Sequence, residues 1–165
     1  MTAWWLAALG ATGVALAMGT LMVLWRPIRG RLREQELARA RRDFHRQREH
    51  LEARFVQLAG RSGKPRGLEW VRCDFDDDVI YARNRRSGEL SALVGVTIGF
   101  EAVEGGGMEG VEAVGNLRAA TAVFHVLKGA WSTEGRALFN LNPTEAIAYY
   151  HDNLELVGQE VAHPG

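Results

Sequence analysis

The chain has a single cysteine, Cys73, in 165 residues. It therefore has no intramolecular disulfide framework and no Cys-x-x-Cys pair for zinc or redox chemistry. The five histidines, His45, His50, His125, His151 and His163, lack zinc-ligand spacing. His45 and His50 lie five apart, which sends them to different faces of a helix. No G-x-S-x-G elbow, H-E-x-x-H helix or Walker loop occurs. No basic n-region precedes the first apolar run, which is also longer than the core of a cleaved signal peptide. Lysine is scarce as well, two against 18 arginines, a skew of codon usage rather than of chemistry. The composition thus indicates placement and architecture, and it implies no cofactor.

The net charge of zero conceals an asymmetry. Residues 1–66 carry 13 basic side chains against five acidic ones, a balance of +8, and residues 67–165 carry seven against 15, a balance of −8. Only the front of the chain can meet a polyanion.

From Ala3 to Trp25 the sequence AWWLAALGATGVALAMGTLMVLW runs 23 residues without a charge. A helix of that length reaches across a hydrocarbon core of about 30 Å. Trp4, Trp5 and Trp25 stand at its ends, where indoles favour the interface. Arg26, Arg29, Arg31 and Arg33 follow directly, so the positive-inside rule predicts a single-pass anchor in the inner (plasma) membrane with a cytoplasmic C-terminal domain. Ala7, Ala11, Ala15 and Gly19 form a small-residue stripe that permits close helix contact, one route to a homodimer.

Leu32 to Leu58 contains no glycine or proline and is rich in helix formers. Leu37, Phe44, Leu51 and Leu58 are spaced by seven, as one coiled-coil seam requires, but Gln47 and Arg48 spoil the second seam. The sequence therefore allows either a marginal parallel dimer or a helix packed on the domain through its last turns. With only Phe44 and Phe55 as aromatic side chains and five interspersed acids, the segment suits anionic lipid rather than nucleic acid.

Gly60 to Gly67 reads as a basic linker, and beyond it comes a meander. Leu68–Phe75 alternates, Asp76-Asp77-Asp78 breaks the run, and Val79–Arg83 resumes it. Asn84 to Glu89 has the composition of a hairpin loop. Leu90–Val103 alternates most cleanly, as a half-buried antiparallel strand does, with Gly95 and Gly99 leaving space on its second face for a helix, a bend or a ligand. Ala119–Leu127 is the next strand, and Lys128-Gly129 turns it toward Trp131–Phe139. Asn142-Pro143-Thr144-Glu145 carries the cap, first-turn proline and N3 glutamate of a helix start. Ile147, Tyr150, Leu154 and Val157 continue at helical spacing to Gly158.

The expected class is thus α+β, an antiparallel sheet of four to five strands with a C-terminal helix. The expected segments are a tail at 1–2, the anchor at 3–25, a basic juxtamembrane helix at 26–59, a linker at 60–67, the domain at 68–158 and a tail at 159–165. The order helix, antiparallel strands, helix resembles the plan of cystatin-like and NTF2-like domains, in which a curved sheet wraps a helix. That resemblance covers residues 50–158 at most and implies a cone-shaped ligand pocket but no catalytic residue.

Candidate chemistry is sparse. Asp74, Asp76, Asp77 and Asp78 could offer oxygens to a hard cation, but no calcium-loop glycine or distal glutamate follows, so a solvated turn is the plainer reading. Glu101 and His125 would form an acid/base pair if their strands brought them together. The stretch EGGGMEG places Gly105, Gly107 and Gly110 in the G-x-G-x-x-G spacing of a dinucleotide loop. Glu101, Glu104, Glu109 and Glu112 surround it and would repel a phosphate, and the strand before it alternates as antiparallel strands do. It reads as a long, flexible acidic connection, with the chain's own basic helix as one candidate to face it. The expected function is a non-enzymatic scaffold or accessory subunit that binds anionic lipid and a protein partner. The alternative is a membrane-tethered cystatin- or NTF2-like domain whose small-molecule pocket, lined by Glu101, His125 and Tyr150, could also serve catalysis.

Overall fold

The computed structural model describes residues 3–62 and 67–162, with the side chains of 3–17, 19–29, 62 and 113 left outside the description. The elements are helix α1 (Ala3–Ser62), strands β1 (Leu68–Asn84), β2 (Leu90–Ala102), β3 (Arg118–Leu127), β4 (Ala130–Ser132) and β5 (Ala137–Phe139), helix α2 (Pro143–Tyr149) and strand β6 (Leu154–Glu160). The fold is α+β, with one antiparallel six-stranded sheet in the order β4-β3-β2-β1-β6 and β5 pairing beside β4 on β3.

The backbone divides into two units, Met1–Arg46 and Gln47–Gly165, with the boundary inside α1 rather than at the linker. In the first unit α1 is one continuous helix, and Arg31 and Arg33 are exposed on it. Arg46 ion-pairs with Asp43 one turn earlier. The side chains of Trp4, Trp5, Trp25, Arg26 and Arg29 lie outside the described residues. Among the described residues no helix is long and apolar enough to cross a membrane. The membrane-spanning expectation therefore rests on the sequence alone.

In the second unit the last turns of α1 lie against one face of the sheet. Phe55 is fully buried, with ring centroids 6.3 Å from Trp70, 5.7 Å from Phe75 and 5.8 Å from Phe124. Trp70 extends the cluster to Phe100 at 5.7 Å and Phe139 at 6.2 Å. Such edge-on and tilted contacts add to the burial of large apolar area. Leu51 is 2% exposed, so this seam residue is used within the chain and leaves no room there for a second helix.

The opposite face is covered by α2. Ile80, Leu93 and Ala146 form its buried centre, with Val123, Leu138, Leu141 and Ile147 packed around them. Covered on both sides, β2 is not the half-buried strand that its alternation suggests. Only Ser91, Thr97 and the terminal Glu101 and Ala102 escape full burial. Alternation reports which residues share a face, and β-branched and small residues on both parities suit a central strand.

The acidic triplet bends β1 without ending it. Phe75 pairs with Val96 and Val79 with Val94, so three aspartates oppose Gly95 alone. This is a β-bulge. A Cβ on Gly95 would lie 2.0 Å from Asp76 Oδ2, so glycine is required for the carboxylate to rest over β2. Gly99 is likewise covered by Arg72 and Leu117. The space that the glycines leave is thus filled by the side chains of Asp76, Arg72 and Leu117.

The C-terminal third departs from its expected elements in two places. Trp131–Phe139 is two short strands, interrupted where α1 passes close. A Cβ on Gly135 would come within 2.5 Å of Ala59 N, and Gly135 itself has φ of +73°. The helix after Asn142 is seven residues long, and Leu154 and Val157 belong to β6, paired with Val79–Asn84 of β1. The same residues fit helical and extended periods, and the unpaired edge of β1 decides in favour of strand. The pairing runs to Glu160, inside the expected tail.

The start of α2 matches its sequence. Asn142 Oδ1 accepts from Glu145 N at 2.8 Å, and Glu145 Oε2 accepts from Asn142 N at 2.9 Å. Lys128 and Gly129, with φ of 52° and 82°, make a two-residue type I′ hairpin.

Candidate binding cleft

Beyond the end of α2 the sheet face that this helix covers stays open. There a cleft of about 610 Å³ lies over β2 and β3. Its floor is Ser91, Leu93, Val123, His125 and Leu127, all of one parity, with Ser91 opposite His125 and Leu93 opposite Val123. Tyr150, Asn153, Leu154 and Asn84 form one wall, and Glu134, Arg136 and Leu138 the other. The volume is in the range of small-molecule sites.

Each wall has a local cause. The Asn84–Glu89 hairpin is tied by Asn84 Oδ1, which accepts from the amides of Arg86 at 2.9 Å and Ser87 at 3.0 Å. Between β4 and β5, Thr133 donates its hydroxyl to Val123 O at 3.0 Å and accepts from Gly135 N at 3.1 Å. Val123 N then donates to Arg136 O at 3.1 Å, which seats Arg136 beside Val123. The guanidinium of Arg136 lies 6.0 Å from the centroid of the Tyr150 ring, a cation–π contact.

Of the residues expected to line a pocket, His125 and Tyr150 belong to this cleft and Glu101 does not. Glu101 stands opposite Glu69, ten residues along β2 from the partner of His125, about 33 Å of extended chain. The acid/base pair is not assembled. The aspartates also do not converge. Asp74 accepts from Arg72 Nε at 2.5 Å, Asp76 lies over Gly95, and Asp78 Oδ1 accepts from Ala162 N at 2.7 Å. Arg48 of α1 donates to the carbonyls of Asp76 and Asp77, which the bulge removes from the ladder. Among the described residues no three His, Cys, Asp or Glu side chains gather as metal ligands do. The basic helix thus meets the acidic bulge through Arg48.

The glycine loop is more ordered than its composition suggests. Gly105, Gly107 and Gly110 all have left-handed φ near +75°. Gly106 N donates to Val103 O, and Gly106 approaches Gly67 too closely for either to carry a Cβ. The amides close on an anion after all, and that anion is the loop's own Glu109. Its carboxylate accepts from Gly105 N, and these backbone hydrogen bonds, its own amide first and that of Gly105 second, hold its pKa below the ordinary glutamate value. Successive amides aimed at one point form an anion nest. Beside the loop, Leu68, Phe100, Met108, Val111, Val114 and Phe139 line a smaller groove of about 310 Å³.

Cys73 is a free, half-buried thiol. Burial first, and the Asp74 carboxylate second, push its thiol up to about 11.

Glu89, Ser91, Glu134, Arg136 and Asn153 were not singled out by motif or spacing. The one signal for Ser91 is its parity with Leu93 on the second face of β2. The others come from three separate loops and carry no pattern. Comparison of the chain with known protein families, with characterised proteins and with solved structures finds no match.

Proposed function

We propose that the chain is a single-pass, membrane-anchored protein whose cytoplasmic α+β domain is a non-enzymatic interaction module, a scaffold or accessory subunit at the inner membrane. The uncharged run from Ala3 to Trp25 is the anchor, and Arg26, Arg29, Arg31 and Arg33 hold the anionic leaflet and set the orientation. The observation that carries the domain's role is its filled helix–sheet interface. A cystatin- or NTF2-like plan would keep a cone-shaped pocket there, and Phe55, Trp70, Phe75, Phe100 and Phe124 occupy the space instead. Affinity purification of the detergent-solubilised protein tests this. Stoichiometric protein subunits are expected, and a protein that purifies alone would reject the role. Digestion of the domain from outside intact spheroplasts would overturn the orientation.

A second function, ligand binding by a membrane-tethered domain, is favoured by one observation. His125 and Tyr150 line an open cleft on the far face of the sheet together with several other polar groups. Mass spectrometry of small molecules retained by the same preparation tests it, and an empty preparation would count against it.

A further inference from the structure

The cleft gathers four ionisable side chains, Glu89, His125, Glu134 and Arg136, from three parts of the chain. Elsewhere Arg48 pairs with Glu52, Arg72 with Asp74, Arg85 with Glu155 and His151 with Asp152. In the cleft, the side chains of Glu89, His125, Glu134 and Arg136 have no hydrogen bond or ion pair among the described residues, and Arg136 meets only the Tyr150 ring. The floor between them includes Leu127, which is 55% exposed. Glu89 stands at one end of this apolar floor and Arg136 at the other, with Glu134 on the same wall as Arg136, an arrangement complementary to a ligand with an apolar body, one carboxylate and cationic groups.

The register gives the separation. Arg136 sits beside Val123, which pairs with Leu93, and Glu89 lies four residues before Leu93 in the same chain. Four residues of extended chain span about 14 Å. An extended peptide covers about 3.3–3.6 Å per residue, so four residues match the cleft.

We propose that the cleft takes an extended peptide of about four residues. Its C-terminal carboxylate sits at Arg136, apolar side chains lie on Leu93, Val123 and Leu127, and a basic first residue faces Glu89. This rests on the second function above, that the far face of the sheet is a binding site. Arg136 is suited to the carboxylate because a guanidinium offers paired donors to two oxygens. Its contact with the Tyr150 ring places it at the end of the cleft next to α2. Ser91 and His125 supply donors and acceptors along the peptide backbone between the two ends.

The test offers the detergent-solubilised full chain a mixture of random tetrapeptides with free C-termini and identifies the retained ones by mass spectrometry. The expected result is enrichment of peptides with lysine or arginine first, and at least a tenfold loss for the same peptides made as C-terminal amides. Arg136→Gln should reduce retention of the free acids by at least tenfold and leave the amides unchanged. Glu89→Lys should reverse the preference toward acidic first residues, an outcome that a misfolded variant cannot produce. Retention that ignores the C-terminal carboxylate, or a preference that Glu89→Lys leaves unmoved, overturns the proposal. Ser91→Trp, which fills the floor, separates the two levels. If the wild type holds non-peptide small molecules that Ser91→Trp releases, the cleft is a site but the peptide is wrong. If neither protein holds any ligand, both are rejected.

Discussion

The two faces of the sheet are built by different means. On one side a long helix lays Phe55 into a cluster of aromatic rings from four strands, and only the smaller groove beside Phe100 and Phe139 is left open. On the other, a seven-residue helix covers only Ile80, Leu93 and their neighbours, and the remainder of the face is a cleft with unpartnered charges. The densest aromatic packing lies on the first face, and the larger of the two openings lies on the second. A short helix can cap half a sheet face without closing it, which is how one domain holds a dry core and an open site a single strand thickness apart.

The sharpest way to break that comparison is to truncate one large residue on each face. Phe55→Ala should lower the unfolding free energy by about 3–5 kcal/mol, since it removes the centre of the aromatic cluster. Leu138→Ala, at the cleft wall, should cost less than half as much in the same urea titration. Equal losses would mean that the two faces are equivalent. The bulge comes next. Gly95→Ala drives a methyl group into the Asp76 carboxylate and should cost about 1–3 kcal/mol. Asp76→Ala in the same chain should recover most of it, and a double-mutant cycle with no coupling would sink this account of the glycine.

On the lightly built face, Asn142→Ala removes the capping box of α2 at about 1 kcal/mol. The change should show as a lower thermal midpoint and faster amide exchange at Glu145. The smallest effect is confined to the glycine loop. Because the Glu109 pKa is lowered by folding, its contribution is present above the ordinary glutamate value and is lost as pH falls through the lowered one. The Gly105 amide resonance should therefore move during acidification, and in Glu109→Gln it should be insensitive to pH in that range. A Gly105 signal that titrates alike in both proteins would remove Glu109 from the nest.

Local chemistry was legible wherever the responsible residues were neighbours in sequence. The Asn142–Glu145 capping box, the Lys128-Gly129 turn, the Asn84–Glu89 hairpin and the two parities of β2 all follow from a few consecutive side chains. The G-x-G-x-x-G spacing was half informative. It does mark amides gathered around an anion, but the anion is Glu109, a member of the pattern's own acidic surroundings. What could not be read required a partner distant in the chain. Leu154 and Val157 look helical until the free edge of β1 is available to pair with them. Asp76-Asp77-Asp78 looks like a strand end until Gly95 lies opposite it. Glu101 and His125 share the same kind of strand but not the same end of the sheet.

The uncharged N-terminal run, the charge division between front and back, the α+β class and the local start and turn signals are written in the sequence, because each depends on composition or short-range geometry. Only the tertiary structure decided that the last turns of α1 fill one face of the sheet, that β6 replaces the second half of the expected helix, and that Glu89, His125, Glu134 and Arg136 share one cleft. Those residues come from the β1–β2 hairpin, β3 and the β4–β5 break, and strand register alone brings them together. Register is set by long-range hydrogen bonding and burial, which no short stretch of the chain contains.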